Sequence, residues 1–178
     1  MSRCSVGSVM VSAVALALWL CLPSHAAGDT DDASVAGLLA AGRYQDAGEA
    51  ARAKLDAAVA PPEQGQLWYL MGEADSAVGS YETALGAYLR AATIDSEWRL
   101  LAQVAAARLQ RRLGDADGAT GRLESVLADY RTSAGGLSAP ELLAVGDAAL
   151  ALAPSDASLY ATALDIYEEA VQRAVSYT

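Results

Sequence analysis

Apolar residues recur along this chain at spacings of three and four, and glycine or proline interrupts the pattern at regular places. That period marks one face of an α-helix, and no window alternates apolar and polar residues long enough to predict a strand. The clearest stretch, Gln66 to Ser96, reads as two helices, about 63–78 and 81–93, folded back on each other across Gly79. Trp68, Met71, Gly72, Ala84, Tyr88 and Ala91 sit at spacings that suit such a hairpin. Upstream, helices are predicted over about 33–41 and 44–58, with Asp31 and Asp32 as caps, Gly42 at the turn and Pro61-Pro62 closing the pair. Downstream, helices over about 97–113 and 116–130 are expected, capped by Ser96 and turned at Gly114-Asp115. Arg131 to Leu137 reads as a loop. Ser138, with Glu141 three residues on, has the spacing of a capping box. It opens helices over about 139–152 and 158–175, joined by the longer turn Ala153–Ala157.

The first residues follow a different rule. Val9 to Leu22 is an apolar run of 14 residues, preceded by Arg3 and broken by Pro23. Ser24 and Ala26 are the small residues of a cleavage site. This is the layout of a secretory signal peptide, 1–26, followed by a short polar linker, 27–32. The expected address is periplasmic or secreted. Extending the run back to Val6 gives 17 residues, close to a spanning length, so an uncleaved membrane anchor is the alternative.

Cleavage after Ala26 would remove Cys4, Cys21 and His25, the only cysteines and the only histidine of the chain. The remainder could form no disulfide and no Cys/His zinc site. It would also lack a histidine base and any Ser-His or Cys-His pair. All 22 acidic residues lie after the cut, against 11 basic ones once Arg3 is gone, giving a net charge of −11. Such a surface repels phosphate backbones and anionic lipid, so neither nucleic acid nor a membrane beyond the signal segment is an expected partner.

The turns carry an internal repeat. Gly42-Arg43-Tyr44-x-x-Ala47, Gly79-Ser80-Tyr81-x-x-Ala84 and Gly114-Asp115-Ala116-x-x-Ala119 align, with the alanines 37 and 35 residues apart. Glycine allows a tight turn, and alanine lets the second helix nestle on the first. A hairpin of this kind cannot bury both faces, so neighbours must stack. A period near this length with two helices per unit resembles the tetratricopeptide repeat family. Unit two carries the likeness best, through Trp68, Met71-Gly72, Ala84, Tyr88 and Ala91. It departs from the family at Asp75, where a large aromatic is usual. Unit three keeps Ala107, Gly114, Ala119, Leu123 and Val126, and unit four keeps Gly146, Ala163, Tyr167 and Ala170. The resemblance implies an all-α, right-handed superhelical stack of about four antiparallel helix pairs: units near 33–60, 63–95, 97–131 and 138–175 of a 33–178 domain. Trp68, Tyr88 and Tyr167 read as core residues of that stack.

Chemistry is sparse. Glu168-Glu169, Glu73 with Asp75, and Asp115 with Asp117 are one or two residues apart, which does not place them on a shared helix face. The segment around Asp115–Gly118 has too few oxygens for a calcium loop, and Gly114–Gly121 lacks the lysine and hydroxyl of a phosphate loop. No catalytic residue, cofactor or metal is expected. If the repeat phase holds, the first helix of each unit lines a concave groove. Arg108, Arg111 and Arg112 then lie on or near it, beside Val104, with Tyr69 and Glu73 at the neighbouring position. Guanidinium forks suit a carboxylate. The expectation is a non-catalytic exported scaffold that holds a protein or peptide, acidic in part, at Tyr69, Glu73, Val104, Arg108, Arg111 and Arg112. Solvated arginines paired with the chain's own acids are the plainer reading of the same residues. The opening of long exported bacterial repeat proteins offers an alternative, in which any activity, such as a peptidase, lies outside this chain. Self-association through the last helix is a further expectation.

Overall fold

A computed structural model describes residues 34–57, 60–133 and 136–176. The signal segment, the 27–32 linker and the proposed Asp31 and Asp32 caps lie outside them. The described residues form eight helices and no strand. These are α1 (Val35–Ala40), α2 (Tyr44–Asp56), α3 (Pro61–Ala77), α4 (Tyr81–Ala91), α5 (Arg99–Arg112), α6 (Ala116–Ser133), α7 (Ala139–Leu152) and α8 (Leu159–Ser176). Each packs on the next, most extensively within α3–α4 and α7–α8. In addition α1 lies against α3, and α5 against α7. The odd-numbered helices α3 and α5 do not approach each other in the same way.

Three turns are built alike. Gly42, Gly79 and Gly114 follow α1, α3 and α5 in the left-handed region, with φ of 73°, 84° and 92°. In each, the residue after the glycine donates its N–H to a carbonyl five residues back: Arg43 to Leu38 (2.9 Å), Ser80 to Asp75 (2.9 Å) and Asp115 to Gln110 (2.9 Å). The glycine itself donates three residues back, to Leu39, Ser76 and Arg111. This bond pair is the Schellman motif, and it occupies carbonyls that the helix end would otherwise leave open. The turn after α7 has no glycine. There Ser155 and Asp156 both donate to the carbonyl of Leu152.

The core falls into two clusters and a seam. One cluster joins α1–α4 through Val35, Leu38, Leu67, Leu70 and Met71, with Trp68 packed at its edge under the guanidinium of Arg90, 4.5 Å from the ring centre. The other joins α5–α8 through Leu100, Val104, Leu123, Val126, Leu142, Val145 and Ile166. Between them lies a smaller group: Ala84, Tyr88, Ala106 and Leu109.

Several helix ends differ from the sequence reading. Ser34, not an aspartate, caps α1 by accepting from the Gly37 N–H at 3.0 Å. Pro61 and Pro62 both stand inside the first turn of α3, where their missing N–H groups have no helical partner to lose. Ser96 does not cap α5. The helix starts after Trp98, and the Ser96 hydroxyl is buried beside Gly65, where a methyl would meet it at 2.4 Å. Helix α6 runs on to Ser133, so the first three residues of the expected 131–137 loop are helical. The capping box at Ser138 is present as read, with Glu141 accepting from the Ser138 N–H at 2.8 Å.

A methyl on Gly79 would touch nothing within 4 Å, so the cost of Gly79→Ala is the left-handed backbone alone. The variant is expected to lose about 1 kcal/mol in urea unfolding. A loss indistinguishable from zero would mean that the turn relaxes out of the left-handed region.

Candidate functional site

A row of charges runs along the odd-numbered helices. Aligning the turns after α3 and α5, and Gly72 with Gly146, puts Glu73 of α3, Arg108 of α5 and Asp147 of α7 at one repeat position. Arg108 donates to Asp147 Oδ2, which bridges α5 and α7. The two side chains remain 59% and 39% exposed, so the pair faces solvent.

Tyrosines from the following helices hold the acids from behind. Tyr88 Oη of α4 donates to Glu73 Oε1 at 2.6 Å, and Tyr167 Oη of α8 donates to Asp147 Oδ1 at 2.7 Å. Each ring reaches its carboxylate by crossing a glycine. A methyl on Gly72 would come within 2.6 Å of the Tyr88 ring, and one on Gly146 within 2.5 Å of Tyr167. Gly72-Glu73 with Tyr88 and Gly146-Asp147 with Tyr167 are therefore one device used twice. In the unit between, Ala107 replaces the glycine and Leu123 the tyrosine, and the charge reverses to Arg108.

Aromatic rings fill the space where α3 and α5 stand apart. Tyr69 of α3 lies 5.7 Å from Tyr88 and 5.1 Å from Trp98, between ring centres. Burial, then the negative charge of Glu73, pushes the hydroxyls of Tyr69 and Tyr88 well above the usual phenol range. Burial and the bond to Asp147 do the same to Tyr167. Tyr88 and Tyr167 thus stay protonated and donate to Glu73 and Asp147.

The six residues singled out from sequence do not form one surface. Tyr69, Glu73 and Arg108 come together in this row. Arg112 turns away, its guanidinium 4.1 Å above the ring centre of Tyr81 on α4. Arg111 is exposed at the last turn of α5. Val104 is a correction: it is 3% exposed and belongs to the α5–α8 core, because α7 packs over that side of α5. It offers no surface to a ligand. Asp147 was missed. The signal for it was present, since Gly146-Asp147 copies Gly72-Glu73.

A second polar knot ties the α5–α6 turn. Gln110 donates to Asp115 Oδ2 at 2.8 Å and accepts from Arg122 Nε at 2.8 Å, while Asp115 Oδ1 accepts from the Gly118 N–H at 2.9 Å. Every member has an evident structural duty there. Among the described residues no three His, Cys, Asp or Glu side chains converge as a metal-binding group would, and no helix is long and apolar enough to cross a membrane.

Asp75 stands apart. One carboxylate oxygen is buried without a hydrogen-bond partner, and burial raises its pKa against the opposing pull of Arg52. A raised folded-state value means that its contribution to stability is complete below the unfolded carboxyl pKa of about 3.9. That contribution is lost as pH climbs through the folded value. Asp75→Asn should melt higher than the native chain at pH 7 and no higher at pH 3. An equal gain at both pH values would assign the effect to packing. Tyr88→Phe, which leaves Glu73 without its donor, should cost about 1 kcal/mol in the same unfolding measurement. Comparison of the chain with protein-family models, curated proteins and solved structures finds no match in any of the three.

Proposed function

We propose that this chain is a non-catalytic, exported scaffold of tetratricopeptide type: a right-handed stack of four helix pairs that holds a segment of another protein on the face of its odd-numbered helices. The observation that carries the reading is the Glu73–Arg108–Asp147 row. Repeat arrays display equivalent positions as a line of surface, and an extended or helical segment can follow such a line. Here the line is pre-organised. Glu73 and Asp147 are anchored by tyrosine hydroxyls and Arg108 by Asp147, so little side-chain freedom remains to be lost on binding. The Arg108 guanidinium has further N–H donors than the one it gives Asp147. A carboxylate on the guest would compete for them, which fits a partner acidic in part. The acidic balance of the chain makes phosphate backbones poor guests.

The test is capture from an exported-protein fraction by the 27–178 chain, compared with its Arg108→Glu and Arg111→Glu variants. A groove guest should be retained by the native chain and by Arg111→Glu, and should fall about tenfold with Arg108→Glu, where the reversed charge also repels Asp147. Recovery unchanged by Arg108→Glu, with circular dichroism showing that variant folded, would remove the row from binding.

A further inference from the structure

The start of helix α8 resembles that of α4 in sequence, but among the described residues its matching face is exposed where that of α4 is covered. Tyr81-Glu-Thr-Ala-Leu85-Gly-Ala-Tyr88 opens α4, and Tyr160-Ala-Thr-Ala-Leu164-Asp-Ile-Tyr167 stands at the start of α8. On α4, Tyr81 and Leu85 are roofed by the next helix. Ala105, Ala106 and Leu109 of α5 close over them, and Arg112 lies above the Tyr81 ring. On α8 their counterparts stand open, Tyr160 at 53% and Leu164 at 59%. Val171 and Val175 continue the line. Positions 160, 164, 168, 171 and 175 fall within one narrow stripe of a helix, and the middle one is an exposed acid, Glu168. A shallow depression lined by Tyr167, Glu168, Val171 and Gln172 lies along it. Helix α7 shows the same relation. Val104 of α5 is buried in the cluster that α7 helps to build, and its counterpart Leu143 is exposed.

The charge around this stripe selects what can cover it. Exposed Glu168 lies on the stripe and exposed Asp165 flanks it, while the other carboxylates of α7 and α8 are held elsewhere: Glu141 in its capping box, Asp147 by Arg108 and Tyr167, and Glu169 by Arg173. Arg173 is already bonded to Glu169 at 2.6 Å. A second copy laid stripe against stripe would set Glu168, the middle of the stripe, near its own image, which is unfavourable. The internal example has the opposite sign. The segment that roofs α4, residues 97–113, holds four arginines and one acid.

From this we infer that the outer stripe of α8, Tyr160, Leu164, Glu168, Val171 and Val175, binds a cationic amphipathic helix from another protein as α4 binds α5. Small residues and a leucine at spacings of three and four fill the apolar stripe, and a cation meets Glu168. A single charge inside an otherwise apolar seam fixes register and rejects guests that cannot match it. This surface does not rest on the charge row of the odd-numbered helices, and the two can succeed or fail separately.

The probe is a fluorescein-labelled peptide with the sequence of residues 97–113, titrated onto the whole chain and followed by anisotropy. Saturable binding is expected, about tenfold weaker for Leu164→Glu and about tenfold weaker for Glu168→Arg. Both side chains are exposed, so each variant is expected to fold, which circular dichroism checks. A version of the peptide with Leu109→Glu should not bind. Absence of saturable binding would overturn the inference. So would equal affinity for the native chain and both variants, which would seat the peptide elsewhere, including in place of the chain's own α5. A dimer seen by light scattering, dissolved by Leu164→Glu and blocking the peptide, would make a second copy the occupant instead.

Discussion

The arrangement depends on how closely a tyrosine ring crosses the backbone of the preceding helix. Tyr88 over Gly72 and Tyr167 over Gly146 leave no room for a methyl. Three consequences come from that one approach. The two helices of a hairpin come near enough to bury their alanines. The phenol is carried through the hairpin to the far side. Its hydroxyl emerges next to the acid that follows the glycine and fixes it in place. Packing and site geometry are thus the same contact seen from two sides. The α5–α6 hairpin, which has Ala107 and Leu123 instead, loses the hydroxyl and places an arginine where the others have an acid.

Much of the fold was legible because its strongest signals are local. Glycine after each of three helices has a steric reason, and the Schellman bonds at Gly42, Gly79 and Gly114 repeat atom for atom. The Ser138–Glu141 box is equally local. What failed were helix ends decided by tertiary contact. Trp98 opens α5 because its ring lies on Tyr69, not because its side chain caps anything. Ser96 has the right chemistry for a cap and the wrong surroundings.

The site was half legible for the same reason. Helical spacing alone groups Arg108 with Arg111 and Arg112, yet each goes where a neighbouring helix offers a partner: Arg108 to Asp147 on α7, Arg112 to Tyr81 on α4. Spacing says which residues share a helix face. It does not say which helix covers that face, and only the packing of α7 on α5 makes Val104 core. Position by position along the repeat, Glu73, Arg108 and Asp147 fall in line in the sequence itself.

The joint between α4 and α5 is thinner than the bodies on either side. Four buried residues, Ala84, Tyr88, Ala106 and Leu109, hold it, with Tyr69 and Trp98 as the wedge where α3 and α5 draw apart. Arrays of this kind lose structure hairpin by hairpin, and the weakest interface sets where cooperativity breaks. Opening at this joint would divide the described residues into two foldons, α1–α4 and α5–α8. Arg108 lies just beyond that joint, so the opening that separates the foldons also parts Glu73 from the other two charges of the row.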